Sequence, residues 1–244
     1  MRLPELVEGR LIKRYKRFLA DVELLNGEII TAHCPNTGKM TGCAMPGERV
    51  WLSISDNPKR KYKHGWVLAE IDHQQVLDNS PARLSLACIH SAFANDLLAE
   101  ALAEGVVEEL AGYSQVVREA RYGLENSRID FLLSAPQRRK CYVEVKSVTL
   151  LRENGIGQFP DAVSDRGRKH LRELMAMVAE GYRAVLFYCV QHEGIEVVEP
   201  ARDIDPSYCQ TLLEAMAAGV EVIAYRASIT PKAITIDRRL HFNS

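Results

Sequence analysis

No apolar run in this 244-residue chain approaches the length of a membrane span, and the first twenty residues are rich in Arg and Lys rather than built around a signal-peptide segment. A helical membrane protein is excluded, and cytoplasmic residence is the default expectation. The six cysteines, at 34, 43, 88, 141, 189 and 209, include no Cys-x-x-Cys pair. Several lie inside apolar runs, as Cys189 does in 185–190, so they read as reduced, mostly buried thiols. His33, Cys34 and Cys43 match no usual zinc-ligand spacing. No helix-turn-helix pattern is present, which disfavours a base-specific repressor. Net charge is nearly absent too, at −1. That neutrality conceals an asymmetry: residues 1–66 carry twelve Lys/Arg against seven Asp/Glu, +5, while the remainder carries 19 against 25, −6. A basic front half hints at a polyanionic partner.

What is present is enough apolar material for a real core, 47% of residues, in a length that suits one large domain or two small ones. Residues 11–25 read as a strand and hairpin ending at Asn26-Gly27. On a period of two, Lys13, Tyr15 and Arg17 share one face, an aromatic plane flanked by cations of the kind that receives single-stranded nucleic acid. Further strands are predicted over 28–33, 50–54, 66–71 and 75–77. The loop after the third gathers Lys59, Arg60, Lys61 and Lys63 with Tyr62 and Trp66, a second cation-and-aromatic cluster suited to phosphate contact. About five short strands in eighty residues fit an OB-like β-barrel over residues 1–83, with Pro81 near its end.

Residues 127–150 organise the second half, 84–244. Strands over 129–133 and 142–148 flank a polar turn, and a turn centred on Gln137 sets Asp130 opposite Glu144, with β-carbons about 5 Å apart. Lys146 projects from the same face as Glu144. Two carboxylates can hold Mg²⁺ or Mn²⁺ against a phosphate, and a neighbouring lysine can stabilise charge developing on phosphorus. Asp, thirteen residues, then Glu-x-Lys resembles the PD-(D/E)xK nuclease core, with Ile129 where that pattern often has proline. A solvated hairpin face is the competing reading of an isolated Glu-x-Lys. Around it a helix is predicted over 93–104, capped by Asn95, then a strand over 116–122. Beyond the hairpin come a helix marked by Leu171, Leu174, Met175 and Val178 and stopped by Gly181, a strand over 184–190, a helix from Asp205-Pro206 to Gly219, and a strand over 220–226. Helix, three strands, helix, strand, helix, strand is the order of a restriction-endonuclease-like α/β core.

A closer resemblance is carried by Tyr15-Lys-Arg-Phe-Leu-Ala-Asp, His33-Cys-Pro-Asn-Thr-Gly, Met40-Thr-Gly-Cys, Tyr122-Gly, Ser127-Arg-Ile-Asp-Phe, Glu144-Val-Lys-Ser-Val-Thr-Leu, Phe159-Pro-Asp-Ala-Val, Arg166-Gly and Lys169-His-Leu-Arg-Glu-Leu. These stretches, spread over nearly the whole chain, resemble the bacterial sugar fermentation stimulation protein A family. The resemblance implies an OB-like N-terminal domain, a restriction-endonuclease-like C-terminal domain, nonspecific DNA binding and a part in regulating maltose use. Near Cys88, His90 and Ser91 stand where the family has Asn-Thr. Carried over by position, Asp130, Glu144 and Lys146 fall on the nuclease motif, with Glu100 as an accessory carboxylate. Asp161, Arg166, Lys169 and His170 follow in a polar loop and first helical turn that could receive a phosphate. For His170, a packing or capping role competes with that of general base.

The expected function is sequence-nonspecific DNA binding by a basic OB-like barrel and a nuclease-type core. Its alternatives are an active Mg²⁺-dependent nuclease, an RNA-binding or RNA-processing protein, and a sugar-responsive regulator.

Overall fold

A computed structural model describes residues 1–77, 81–123 and 127–244. Strands β1 (Leu6–Tyr15), β2 (Leu19–Leu24), β3 (Ile29–His33), β4 (Arg49–Ile54), β5 (His64–Asp72) and β6 (Leu84–Cys88) form one sheet in the order β3-β2-β1-β4-β5-β6. A single parallel bridge, His33↔Gly65, joins β3 to β5, so the first five strands curl round to meet at one residue pair. Leu11, Ala20, Val22, Ala32, Val50, Leu52 and Trp66 fill the interior, as alternation along twisted strands requires.

Three expectations fail here for local reasons. Residues 75–77 are not a strand: Asp72 accepts a hydrogen bond from the Gln74 N–H and starts a single helical turn, α1 (His73–Val76), which ends before Leu77. The sixth strand is β6, so this sheet extends past the boundary expected at 83/84. Finally, β1 stops at Tyr15, because Lys16 and Arg17 adopt φ of 50° and 64° and make the turn to β2. Arg17 therefore leaves the strand that carries Lys13 and Tyr15.

The second sheet holds nine strands: β7 (Gln115–Tyr122), β8 (Ser127–Ser134), β9 (Cys141–Val148), β10 (Leu150–Leu151), β11 (Ile156–Phe159), β12 (Arg183–Val190), β13 (Val197–Pro200), β14 (Glu221–Ile229) and β15 (Ile234–Phe242), in the order β10-β11-β13-β15-β14-β12-β9-β8-β7. β12 runs parallel to both β9 and β14. Parallel neighbours need crossovers, supplied by α3 (Asp165–Ala179) between β11 and β12 and α4 (Pro206–Ala217) between β13 and β14. Ser164 and Asp205 cap these helices, accepting from Gly167 N at 2.9 Å and Tyr208 N at 2.9 Å. Gly181 and Gly219, both at positive φ, follow their ends, as the sequence predicts.

Both faces of the sheet are covered, which explains why β12 is apolar almost throughout. On one face Leu171, Leu174 and Met177 of α3 and Leu212 of α4 pack on Ile129, Leu186 and Tyr188. Burying each such side chain contributes about 1.5–3 kcal/mol relative to exposure. On the other face α2 (Phe93–Ala103) and the first sheet share one core with the second: Trp51, Val67, Leu68 and Cys88 lie with Leu97, Phe131, Val145 and Phe187. All six cysteines are free and buried, where burial of most was expected.

Candidate functional site

The β8–β9 hairpin has the predicted register. Leu133↔Cys141, Leu132↔Tyr142 and Phe131↔Val143 are symmetric about Gln137, whose φ of 67° makes the turn. The ladder ends at the last of these pairs, so the expected cross-strand pair of Asp130 with Glu144 is not formed. At the next position Asp130 turns its carboxylate into the gap between the strands, where Oδ2 accepts from the Val145 N–H at 2.7 Å. Its Oδ1 accepts from Asn95 Nδ2 at 2.8 Å. Asn95 is therefore not the cap of α2. The helix begins after Ala92 without a side-chain cap, and Asn95 reaches from inside it to hold Asp130.

Glu144 and Lys146 share a face of β9, as alternation requires. Lys146 Nζ donates to Glu144 Oε1 at 2.6 Å, and His170 Nδ1 from α3 contacts the same oxygen. Arg166 Nε donates to His170 Nε2 at 3.3 Å. An Nε2 that accepts leaves the ring proton on Nδ1, so a neutral His170 donates to Glu144. Both ring nitrogens are thus engaged. Glu144 is 2% exposed, and its Oε2 has no hydrogen-bond partner among the described residues. Burial works against its charge, but Lys146 and His170 outweigh it and hold the carboxyl below its ordinary pKa. Asp130 behaves oppositely: burial and the negative charge of Glu144 raise it, against the Val145 N–H, Asn95 and Lys146.

A further acid escaped the sequence reading. Glu173, one helical turn beyond His170, is buried beside Tyr122, whose phenol is pushed up by burial and then by Glu144, Glu173 and Asp130. The (i, i+3) spacing from His170 is the sequence signal that could have found it.

Among the described residues no cluster of three or more His, Cys, Asp or Glu side chains is arranged to hold a metal. The donor set nevertheless fits a hard cation held by one or two carboxylates and otherwise by water. The observation behind that fit is the buried, unpartnered Glu144 Oε2 beside a second carboxylate, Asp130.

Two expected site residues lie elsewhere. Glu100 points away from the cluster and takes the ammonium of Met1, since it lies five helical positions beyond Asn95 and so on another face. Trp66 is 0% exposed and its indole N–H donates to Leu68 O at 2.9 Å, so it is core rather than a stacking surface. Lys59, Arg60, Lys61 and Lys63 are exposed on their loop. Tyr15 is half-buried, with its hydroxyl donating to Asp21 Oδ1 at 2.9 Å and Lys13 3.6 Å from the same carboxylate. Arg166 is exposed beyond its contact with His170, and Lys169 is half-buried on α3.

An N-terminal six-stranded unit that curls on itself, joined to a mixed α/β sheet carrying a partly buried acid–acid–lysine cluster, defines a two-part protein. Residues 12–77 match the model of the SfsA N-terminal OB domain, and residues 92–233 match that of the sugar fermentation stimulation protein RE domain. The chain belongs to the sugar fermentation stimulation protein family. The homolog from Marinomonas sp. (strain MWYL1) is 55% identical over 233 residues, covering 96% of this chain and 86% of that one. The homolog from Pseudoalteromonas atlantica is 56% identical over 235 residues, 96% of each. The fold is shared with Pyrococcus furiosus SfsA, described in complex with Ca²⁺, at a TM-score of 0.84 and 24% identity over 100% of this chain and 98% of that one. No helix among the described residues is long and apolar enough to cross a membrane.

Proposed function

We propose that this chain is a sequence-nonspecific DNA-binding protein whose restriction-endonuclease-like core presents a divalent cation to a phosphodiester. The observation that carries the reading is Glu144 Oε2, a buried carboxylate oxygen without a partner, next to Asp130 and Lys146. Asp130 and Glu144 would hold Mg²⁺ or Mn²⁺, which supplies Lewis-acid polarisation of a phosphoryl oxygen. Asn95 and the Val145 N–H orient Asp130, while His170, fixed by Arg166, orients Glu144. Such outer partners tune a site as much as its ligands do. The exposed cations of residues 59–63 supply phosphate contacts independent of sequence. A part in maltose regulation would then run through DNA occupancy rather than base-specific reading.

Phosphodiester hydrolysis is the second reading. Lys146 favours it, because its ammonium sits at the carboxylate cluster, where it can balance charge developing on phosphorus. The test is calorimetric titration of Mg²⁺ and Mn²⁺, with Ca²⁺ as a third cation because it accompanies the archaeal relative. Saturable binding in the wild type, lost in Asp130→Asn and Glu144→Gln while DNA retention persists, is the expected result. Absence of cation binding in millimolar Mn²⁺ with DNA present defeats the metal site. Cleavage of duplex or single-stranded DNA or RNA, abolished in the same variants and in Lys146→Ala, separates the nuclease from the binder.

A further inference from the structure

The metal cluster leaves three motif stretches without a role: Cys34-Pro-Asn-Thr-Gly, Ser147-Val-Thr-Leu and Phe159-Pro-Asp. They meet at a cleft of about 180 Å³ between the two sheets, where Asn36, Ser91, Thr149, Gln158, Phe159 and Asp161 form most of the lining. No Lys, Arg or His lines it, so its chemistry does not suit a phosphate.

The amides and the carboxylate of the cleft are each held through one oxygen, which fixes what they still offer. Asn36 Oδ1 accepts from Gly38 N at 2.8 Å, which fixes the amide and presents Nδ2. Gln158 Oε1 accepts from Arg152 Nε at 2.8 Å and so presents Nε2. Asp161 Oδ2 accepts from Met40 N at 3.2 Å, leaving Oδ1 as an acceptor. The loop that carries Asn36 is held firmly. Arg14 donates to the carbonyls of Arg17, Asn36, Gly38 and Lys39, and a Cβ on Gly38 would fall 2.5 Å from Asp161 Oδ2. Two oriented amide donors and one carboxylate acceptor, with hydroxyls from Ser91 and Thr149, are thus prepared before any ligand arrives.

We propose that this cleft is a nucleobase subsite for keto bases. Thymine, uracil and guanine each set a ring N–H beside a carbonyl, complementary to a carboxylate acceptor and amide donors. Adenine offers no carbonyl, and cytosine has no ring N–H. A nucleic acid is favoured over a free saccharide by the basic loop nearby. Burial lowers the pKa of His33 and His90, and the charge of Arg60 adds to the lowering of both, which places that loop's cation near the residue preceding Ser91. A strand neutralised by residues 59–63 would pass the mouth of the cleft. The inference rests on the nucleic-acid reading above.

The test uses the intact chain and fluorescence anisotropy with labelled oligo-dT, oligo-dA and oligo-dC. The wild type should prefer oligo-dT over oligo-dA by about tenfold. Asn36→Asp and Gln158→Glu are isosteric; each keeps the oxygen that accepts from Gly38 or Arg152 and replaces the amide donor by a charged carboxylate oxygen. Added negative charge should lower affinity for all three strands, so the dT/dA ratio is the readout, and it should fall towards one. A wild type without preference, or a ratio unchanged in both variants, overturns the subsite while DNA binding stands. Retention of no nucleic acid at all defeats the nucleic-acid reading and the subsite with it. Calorimetric heat with maltose, lost in the same variants, makes the cleft a saccharide pocket and overturns the nucleobase assignment.

Discussion

The basic loop at residues 57–63 and the cluster at Asp130, Glu144, Lys146 and His170 both consist of charged side chains, yet they obey different physics. Lys59, Arg60, Lys61 and Lys63 stand in water, where a charge costs little to place and is screened within about 8–10 Å. Among the described residues no hydrogen bond or ion pair fixes their side chains, and Lys61 rests only over the Tyr62 ring. Glu144 is 2% exposed, and its charge persists only because Lys146 and His170 are fixed against it. A charge in the first setting is defined by number and in the second by position. Composition reveals the first, and only three-dimensional partners reveal the second.

The contrast is broken most sharply at Lys146. Lys146→Met leaves a buried carboxylate without its counter-charge and should cost about 3–5 kcal/mol in urea unfolding, most of it recovered when Glu144→Gln is added. A loss below ~1 kcal/mol would mean that Glu144 is held by His170 alone. Neutralising Lys59, Arg60, Lys61 and Lys63 together should do the reverse. Stability should move by no more than about 0.5 kcal/mol. DNA affinity should fall for every sequence, with the salt slope reduced by roughly 0.9 for each phosphate that the loop no longer neutralises. An unchanged slope removes the loop from the interface.

Third in size is the buried His192, which sharpens what burial alone does. Its Nδ1 accepts from Gly194 N at 3.0 Å, and burial, then the charges of His73 and Arg83, depress its pKa to about 3. In the unfolded chain it titrates near 6.5. It therefore stays neutral when folded, and stability is lost as pH falls below about 6.5, by up to about 1.4 kcal/mol per pH unit. Glu48, raised to about 7 by burial, pulls the other way, costing stability as pH rises above 4.5. The difference between wild type and His192→Gln across pH 7 to 4.5 is the measurement, and parallel curves would contradict it. The smallest effect belongs to Tyr15→Phe, which deletes the bond to Asp21 for about 1 kcal/mol and keeps the ring. Single-strand binding should survive Tyr15→Phe and weaken in Tyr15→Ala; equal loss in both would return the ring to a purely structural place.

Features written in adjacent residues were legible. The hairpin symmetry about Gln137, the opening of α4 at Asp205-Pro206 and the stops at Gly181 and Gly219 depend on local spacing, and the structure reproduces them. Short strands that exist only through distant pairing were not: β10 has two residues, and β13 finds β11 and β15 far along the chain. Trp66 misled because β5 is buried on both sides, its neighbours Val67 and Leu68 packing against the second sheet. A tryptophan beside a basic loop looks like a platform until that second covering is seen. The same limit hid Asn95. Its partner Asp130 lies 35 residues on, and capping was the only local role on offer.

The shared core of Trp51, Val67, Leu68, Cys88, Phe131 and Val145 has a consequence for how the molecule can be taken apart. A hinge needs an interface that opens cheaply, and this one is an interior seam. The two halves should melt in one cooperative step, and neither should be soluble when expressed alone, because each would bare an apolar wall to water. A bound strand would then meet a single preformed surface rather than two jaws closing on it.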